Sequence, residues 1–131
     1  MKFKDHQERL KESLEVIEDC IEKGVVERQR TIGFNISAAS ADMLEMLLHK
    51  NNLIDPGFVI KHDWFNSERK VGEKLDFDFP NKKGIIKLMC AIEFKRNILC
   101  YGKTQKSEVL EEAIHDFTAL KNIFKELGVN D

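Results

Sequence analysis

Apolar residues recur at intervals of three and four along most of this chain, and no strand-like alternation of useful length interrupts them. That period predicts helices almost throughout. A first helix is expected from near Asp5, where Asp5 and Glu8 have the D-x-x-E spacing of a capping box. Leu10, Leu14, Ile17 and Ile21 form its stripe, and Gly24 is its natural stop. A second helix is expected from about Val26 to His49, with Ile32, Ile36, Ala39, Met43 and Leu47 facing the core. Its small residues, in "SAASAD", allow a neighbouring helix to come close. Pro56 and Gly57 then break the pattern.

The stretch from Phe58 to Phe79 is the least periodic. "NSERKVGEKL" reads as a short helix capped by Asn66 or Ser67, flanked by Trp64, Phe65, Phe77 and Phe79 as anchors to the core. After Pro80, Asn81 is the expected N-cap of a long helix with Ile85, Leu88, Met89, Ile92 and Leu99 along its stripe. A last helix is expected to start at Ser107, with Glu108, Glu111 and Glu112 suiting the positive end of its dipole. Leu110, Ala113, Phe117, Leu120, Phe124 and Leu127 form its seam, and Gly128 ends it. The expected architecture is a single all-α domain spanning residues 1–131, an antiparallel up-and-down bundle of four to five helices.

Composition agrees with a globular domain. The 131 residues are 42% hydrophobic and 34% charged, enough for one core under a solvated surface. Apolar runs are only a few residues long, and "MKFKDHQERL" has no apolar leader region, so no membrane partner and a cytoplasmic location are expected. Cys20, Cys90 and Cys100 are odd in number and widely spaced, which fits small core residues better than disulfides or zinc ligands. His6, His49, His62 and His115 are scattered, no two of them at helical ligand spacing and none beside a cysteine, so neither a metal site nor a cofactor is expected.

The formal net charge is −2, which argues against a general polyanion binder. The distribution says more. From Asn81 to Lys106 the basic residues are Lys82, Lys83, Lys87, Lys95, Arg96, Lys103 and Lys106, against the single acid Glu93. Such a face attracts phosphates, although a solvated helix surface has the same look.

Within this segment, "KRNILCYGK" at 95–103 puts Arg96 four residues after Ile92 and three before Leu99. Arg96 therefore shares a face with the apolar stripe and is expected to be partly buried and paired with an anion. That anion is either a carboxylate of the first helix or an external phosphate, both suited to bidentate arginine. Asn97 and Tyr101 lie four apart on a neighbouring line, Gly102 ends the helix, and Lys103 and Lys106 follow.

"FKRNILCYGK" resembles the signature of the HEPN family (higher eukaryotes and prokaryotes nucleotide-binding domains): an arginine, usually an asparagine, about three variable residues and a histidine, on a late helix of an all-α bundle. The likeness in length and helix order covers most of the chain. It implies a homodimer with the two motifs facing a shared cleft. Many members are metal-independent ribonucleases, often toxins of toxin–antitoxin pairs, and a common partner is a small nucleotidyltransferase. Arg96 and Asn97 match the motif. Tyr101 stands at the histidine position, and Lys103 stands where the toxin branch carries its adenylylated tyrosine.

The departure bears on chemistry. Histidine titrates at a pKa of about 6.5 and serves as base or acid near neutrality, whereas tyrosine, at about 10, is a poor base there. The candidate catalytic residues are thus Arg96, Asn97 and Tyr101 in a degenerate site, with Arg96, Lys95, Lys103 and Lys106 as candidate phosphate ligands. Three functions follow as expectations: RNA or nucleotide binding without cleavage, metal-independent RNA cleavage, and a protein-interaction role toward a nucleotidyltransferase.

Overall fold

The computed structural model describes all residues from Met1 to Asp131. Five α-helices and one 3-10 turn account for its secondary structure: α1 (Phe3–Lys23), α2 (Gln29–Lys50), a 3-10 turn (His62–Asn66), α3 (Glu68–Lys74), α4 (Lys82–Tyr101) and α5 (Ser107–Glu126). There are no strands. None of the helices is long and apolar enough to cross a membrane.

The four long helices form an up-and-down bundle, with α2 packed against α1, α4 and α5. His6 on α1 meets Asp42 on α2, and Lys95 on α4 meets Asp116 on α5, as antiparallel neighbours require. Fourteen of the 22 residues of α2 are buried, including every residue from Asp42 to Leu48. Its expected stripe is entirely inside, and the partners Leu10, Ile17, Ile85, Met89, Ile92, Leu99, Leu110, Phe117 and Phe124 complete one core. Burying each of these large side chains contributes about 1.5–3 kcal/mol. Ser37, Ala39 and Ser40 are buried among them, the close packing expected of small residues.

Several helix ends differ from the sequence expectation. The α1 helix begins at Phe3 with Lys2 as N-cap and no side-chain cap, so Asp5 lies inside the first turn and forms no capping box. On the same helix Cys20 is buried and Ile21 is 43% exposed, because the inward line runs His6–Leu10–Ser13–Ile17–Cys20. Val26 to Arg28 form a turn before α2 starts at Gln29. Asn81 precedes α4 as expected but sits in the left-handed region at φ 54° and caps nothing with its side chain. Lys106, not Ser107, is the N-cap residue of α5.

Other ends agree with the pattern. Gly24 closes α1, its N–H donating to the Cys20 carbonyl at φ 129°. Ser67 caps α3, its Oγ accepting from the Lys70 N–H at 3.0 Å. Phe65 and Phe79 are buried, and Trp64 and Phe77 pack on the core from its edge.

Candidate functional site

The α2 and α4 helices approach closely where Gly33 faces the end of α4. A Cβ on Gly33 would stand 2.8 Å from Cys100 Sγ and 3.2 Å from Leu99 Cβ. This approach brings Phe34 of α2 to the side of α4 that carries Arg96 and Tyr101. The Arg96 guanidinium carbon lies 5.0 Å from the Phe34 ring centroid and 5.6 Å from that of Tyr101. The two rings meet edge to face with centroids 6.0 Å apart. A cation so placed is attracted to both ring faces, by about 0.5–1 kcal/mol each at a partly exposed site.

Arg96 is half-buried, as its position on the apolar stripe requires, and with Gly33, Ile36, Leu99 and Ala113 it lines a narrow cleft between α2, α4 and α5. It forms none of the ion pairs in the molecule. Of the two anions expected for it, a carboxylate of the protein does not pair with it, and the rings of Phe34 and Tyr101 flank it instead. Tyr101 is 67% exposed and Phe94 is 66% exposed. Asn97 lies between them on the outer face of α4 and is exposed.

The basic residues of this region have different fates. Lys95 is held by α5, with its Nζ 3.3 Å from Asp116 Oδ2 and 3.6 Å from Glu112 Oε2, so its charge is already matched. Lys82 donates to the Leu75 and Phe77 carbonyls at 2.7 and 2.8 Å, closing the chain before α4. Lys103 and Lys106 are exposed and unpaired. Arg28 and Arg30, which no sequence motif singles out, line a groove of about 410 Å³ with Gly102 and Thr104 next to the motif. Burial raises the pKa of the Cys100 thiol, and the nearby Arg96 and Arg30 partly offset that rise.

The connector after Gly102 is fixed by Gln29. The Gln105 N–H donates to Gln29 Oε1 at 2.9 Å, and Gln29 Nε2 donates to the Val26 carbonyl at 2.9 Å. The turn before α2 and the turn after α4 are therefore tied beside the aromatic–arginine patch. His62 and His115 do not join it. His62 Nδ1 is 2.9 Å from Glu93 Oε2, and His115 is exposed on α5 beside Glu112 and Asp116.

A second polar cluster lies between α1 and α2, where Glu45 follows Phe34 by eleven residues along α2, about 16 Å at 1.5 Å each. His6, Asp42 and Glu45 are 3%, 4% and 5% exposed, and their donor atoms lie within 4.8 Å of one another. His6 Nδ1 donates to Asp42 Oδ1 at 2.7 Å. Burial raises the Asp42 and Glu45 carboxyl pKa values and lowers that of the His49 imidazole. The spacing of the histidines alone does not reveal this group. Asp42, Glu45 and His49 share a helix face at intervals of three and four, and that is the signal the sequence carries.

No family model, no curated protein and no solved structure matches this chain.

Proposed function

We propose that this chain is a HEPN-like, dimeric binding module that takes single-stranded RNA or a nucleotide at the Arg96 surface without cutting it. The observation that carries this reading is Arg96 itself: half-buried, free of any carboxylate, and flanked by the Phe34 and Tyr101 rings at the surface. A guanidinium without an internal counterion is available to a phosphate. The exposed ring of Tyr101 offers a face on which a base stacks. Arg28, Arg30, Lys103 and Lys106 extend positive charge around it. The exposed line of Phe94, Asn97 and Tyr101 on α4 suits a second copy of the chain, whose motif would complete the cleft.

Cleavage is the second reading of the same surface. Arg96 would stabilise the charge of the phosphorane, and the proton transfers would fall to Tyr101. Tyr101 is largely exposed, and His62 is engaged by Glu93, so binding is favoured over cleavage. An interaction with a nucleotidyltransferase would use the same exposed α4 face.

Fluorescence anisotropy with a labelled single-stranded RNA at low and moderate salt tests the proposal. Binding is expected to weaken with salt and to fall by roughly tenfold or more in Arg96→Ala and Tyr101→Ala, from the about 1–3 kcal/mol that one stacked base contributes. Absence of binding by the folded wild type at low salt would overturn it. Incubating the same RNA in excess chelator separates binding from cleavage, and light scattering reports the dimer.

A further inference from the structure

We propose that the groove between the turn before α2 and the connector after α4 takes the terminal phosphate of a single-stranded RNA, a phosphomonoester held by Arg28 and Arg30. The inference rests on the reading of the Arg96 surface as an RNA site, and it names the part of the strand that is anchored beside it. The groove has a volume of about 410 Å³, with residues 26–31 on one side and Gly102 and Thr104 on the other. Leu99 lines both this groove and the narrow cleft that holds Arg96, so the two adjoin. The Gln29 side chain bridges the walls. Its Nε2 donates to the Val26 carbonyl at 2.9 Å, and its Oε1 accepts from the Gln105 N–H at 2.9 Å. The recess is therefore shaped before any ligand arrives, which lowers the ordering cost of binding.

The charge in the groove is unspent. Arg28 and Arg30 are exposed and enter none of the ion pairs of the molecule, as is true of Arg96. The one acid on the groove, Glu27, turns back on its own turn, where a Cβ on Gly24 would collide with its Oε2. Arg30 and Arg96 belong to one locus: the Cys100 thiol donates to the Arg30 carbonyl at 3.5 Å, and both guanidinium charges act on that thiol. An internal phosphodiester carries a single negative charge, which Arg96 alone matches. A terminal phosphate carries about 1.5–2 negative charges at pH 7 and three strong acceptor oxygens. Two further guanidinium groups beside Arg96 suit that dianion through forked, charge-assisted hydrogen bonds. The hydroxyls of Thr31 and Thr104, on opposite walls, add neutral donors.

The test uses the full chain. Isothermal titration calorimetry at one salt concentration compares three short RNAs of one sequence, carrying a 5′-phosphate, a 3′-phosphate, or hydroxyls at both ends. A phosphate at one end is expected to raise affinity roughly tenfold over the hydroxyl-ended strand, and the arm that gains identifies the end. In the double variant Arg28→Gln, Arg30→Gln the three affinities are expected to converge, and each single variant to lose part of the gain. Both residues are exposed, and circular dichroism melts confirm that the variants fold. Lys103→Gln with Lys106→Gln is expected to weaken all three RNAs alike and to keep the gain. Equal affinities in the wild type overturn the proposal and leave the Arg96 reading standing. An equal gain from both ends is the mark of general charge attraction and overturns it too, as does a gain that survives the double variant. Binding of none of the RNAs overturns both readings. Binding of only a phosphate-ended RNA upholds the groove and removes stacking as the source of affinity.

Discussion

Arg96 of α4 rests on the ring of Phe34 of α2, with 5.0 Å between the guanidinium carbon and the ring centroid. The contact joins two helices far apart in sequence through a planar cation on an aromatic face. A lysine has the same charge but neither the plane nor the fork. Arg96→Lys is therefore expected to lower affinity for single-stranded RNA by roughly fivefold, corresponding to about 1 kcal/mol, with net charge unchanged. Anisotropy titrations at matched salt measure this. Equal affinity in the two proteins would show that only charge matters at this position.

Gly33 sets how close α2 and α4 come. Gly33→Val is expected to destabilise the fold by about 1–3 kcal/mol, because its added carbons meet Leu99 and Cys100. Gly72, inside α3 with nothing within 4 Å of where a Cβ would stand, is the contrast. Gly72→Ala is expected to stabilise by up to about 1 kcal/mol through helix propensity. Urea denaturation of both variants gives the two signs.

Burial, with help from Glu68 and Glu93, pushes the Cys90 thiol up to about 11. At pH 8 only about one such thiol in a thousand is ionised, so native Cys90 is expected to react slowly with iodoacetamide. Its rate should rise about tenfold per pH unit up to that value. The folded pKa lies above the unfolded one, near 9.0, so the thiol favours the fold at neutral pH. That contribution is lost as pH rises from about 9 toward 11. Mass spectrometry after timed alkylation, native and in guanidinium, checks both statements. Equal native and denatured rates at pH 8 would contradict them.

Glu93 is buried and its carboxylate meets His62 Nδ1 at 2.9 and 3.1 Å. His62→Ala leaves that group without its partner and is expected to cost about 1–3 kcal/mol. The cost should shrink in a Glu93→Gln background, where no charge is stranded. A double-mutant cycle in urea reads the coupling. Additive effects would mean the pair contributes nothing.

The helices were legible in the sequence because their core lines are long and regular. Ile32 through Leu47 on α2 and Leu110 through Phe124 on α5 are inside as the period requires. The caps were less legible: Asp5 and Ser107 have the right chemistry one to three residues from where the chain turns into helix. The inward position of Arg96 followed from spacing, but its partner did not. Phe34 is remote in sequence, and only the close approach at Gly33 brings it there. The His6 cluster was hidden for the same reason, since His6 and Asp42 come from different helices. Lys95 looked free on a basic stretch, and its neutralising acids belong to α5.

The unbroken burial of α2 from Asp42 to Leu48 has a consequence for how the molecule opens. A helix with no outward face there cannot detach as a unit while its neighbours stay assembled. Its amide protons can exchange with solvent only when the whole bundle comes apart, so they report global stability.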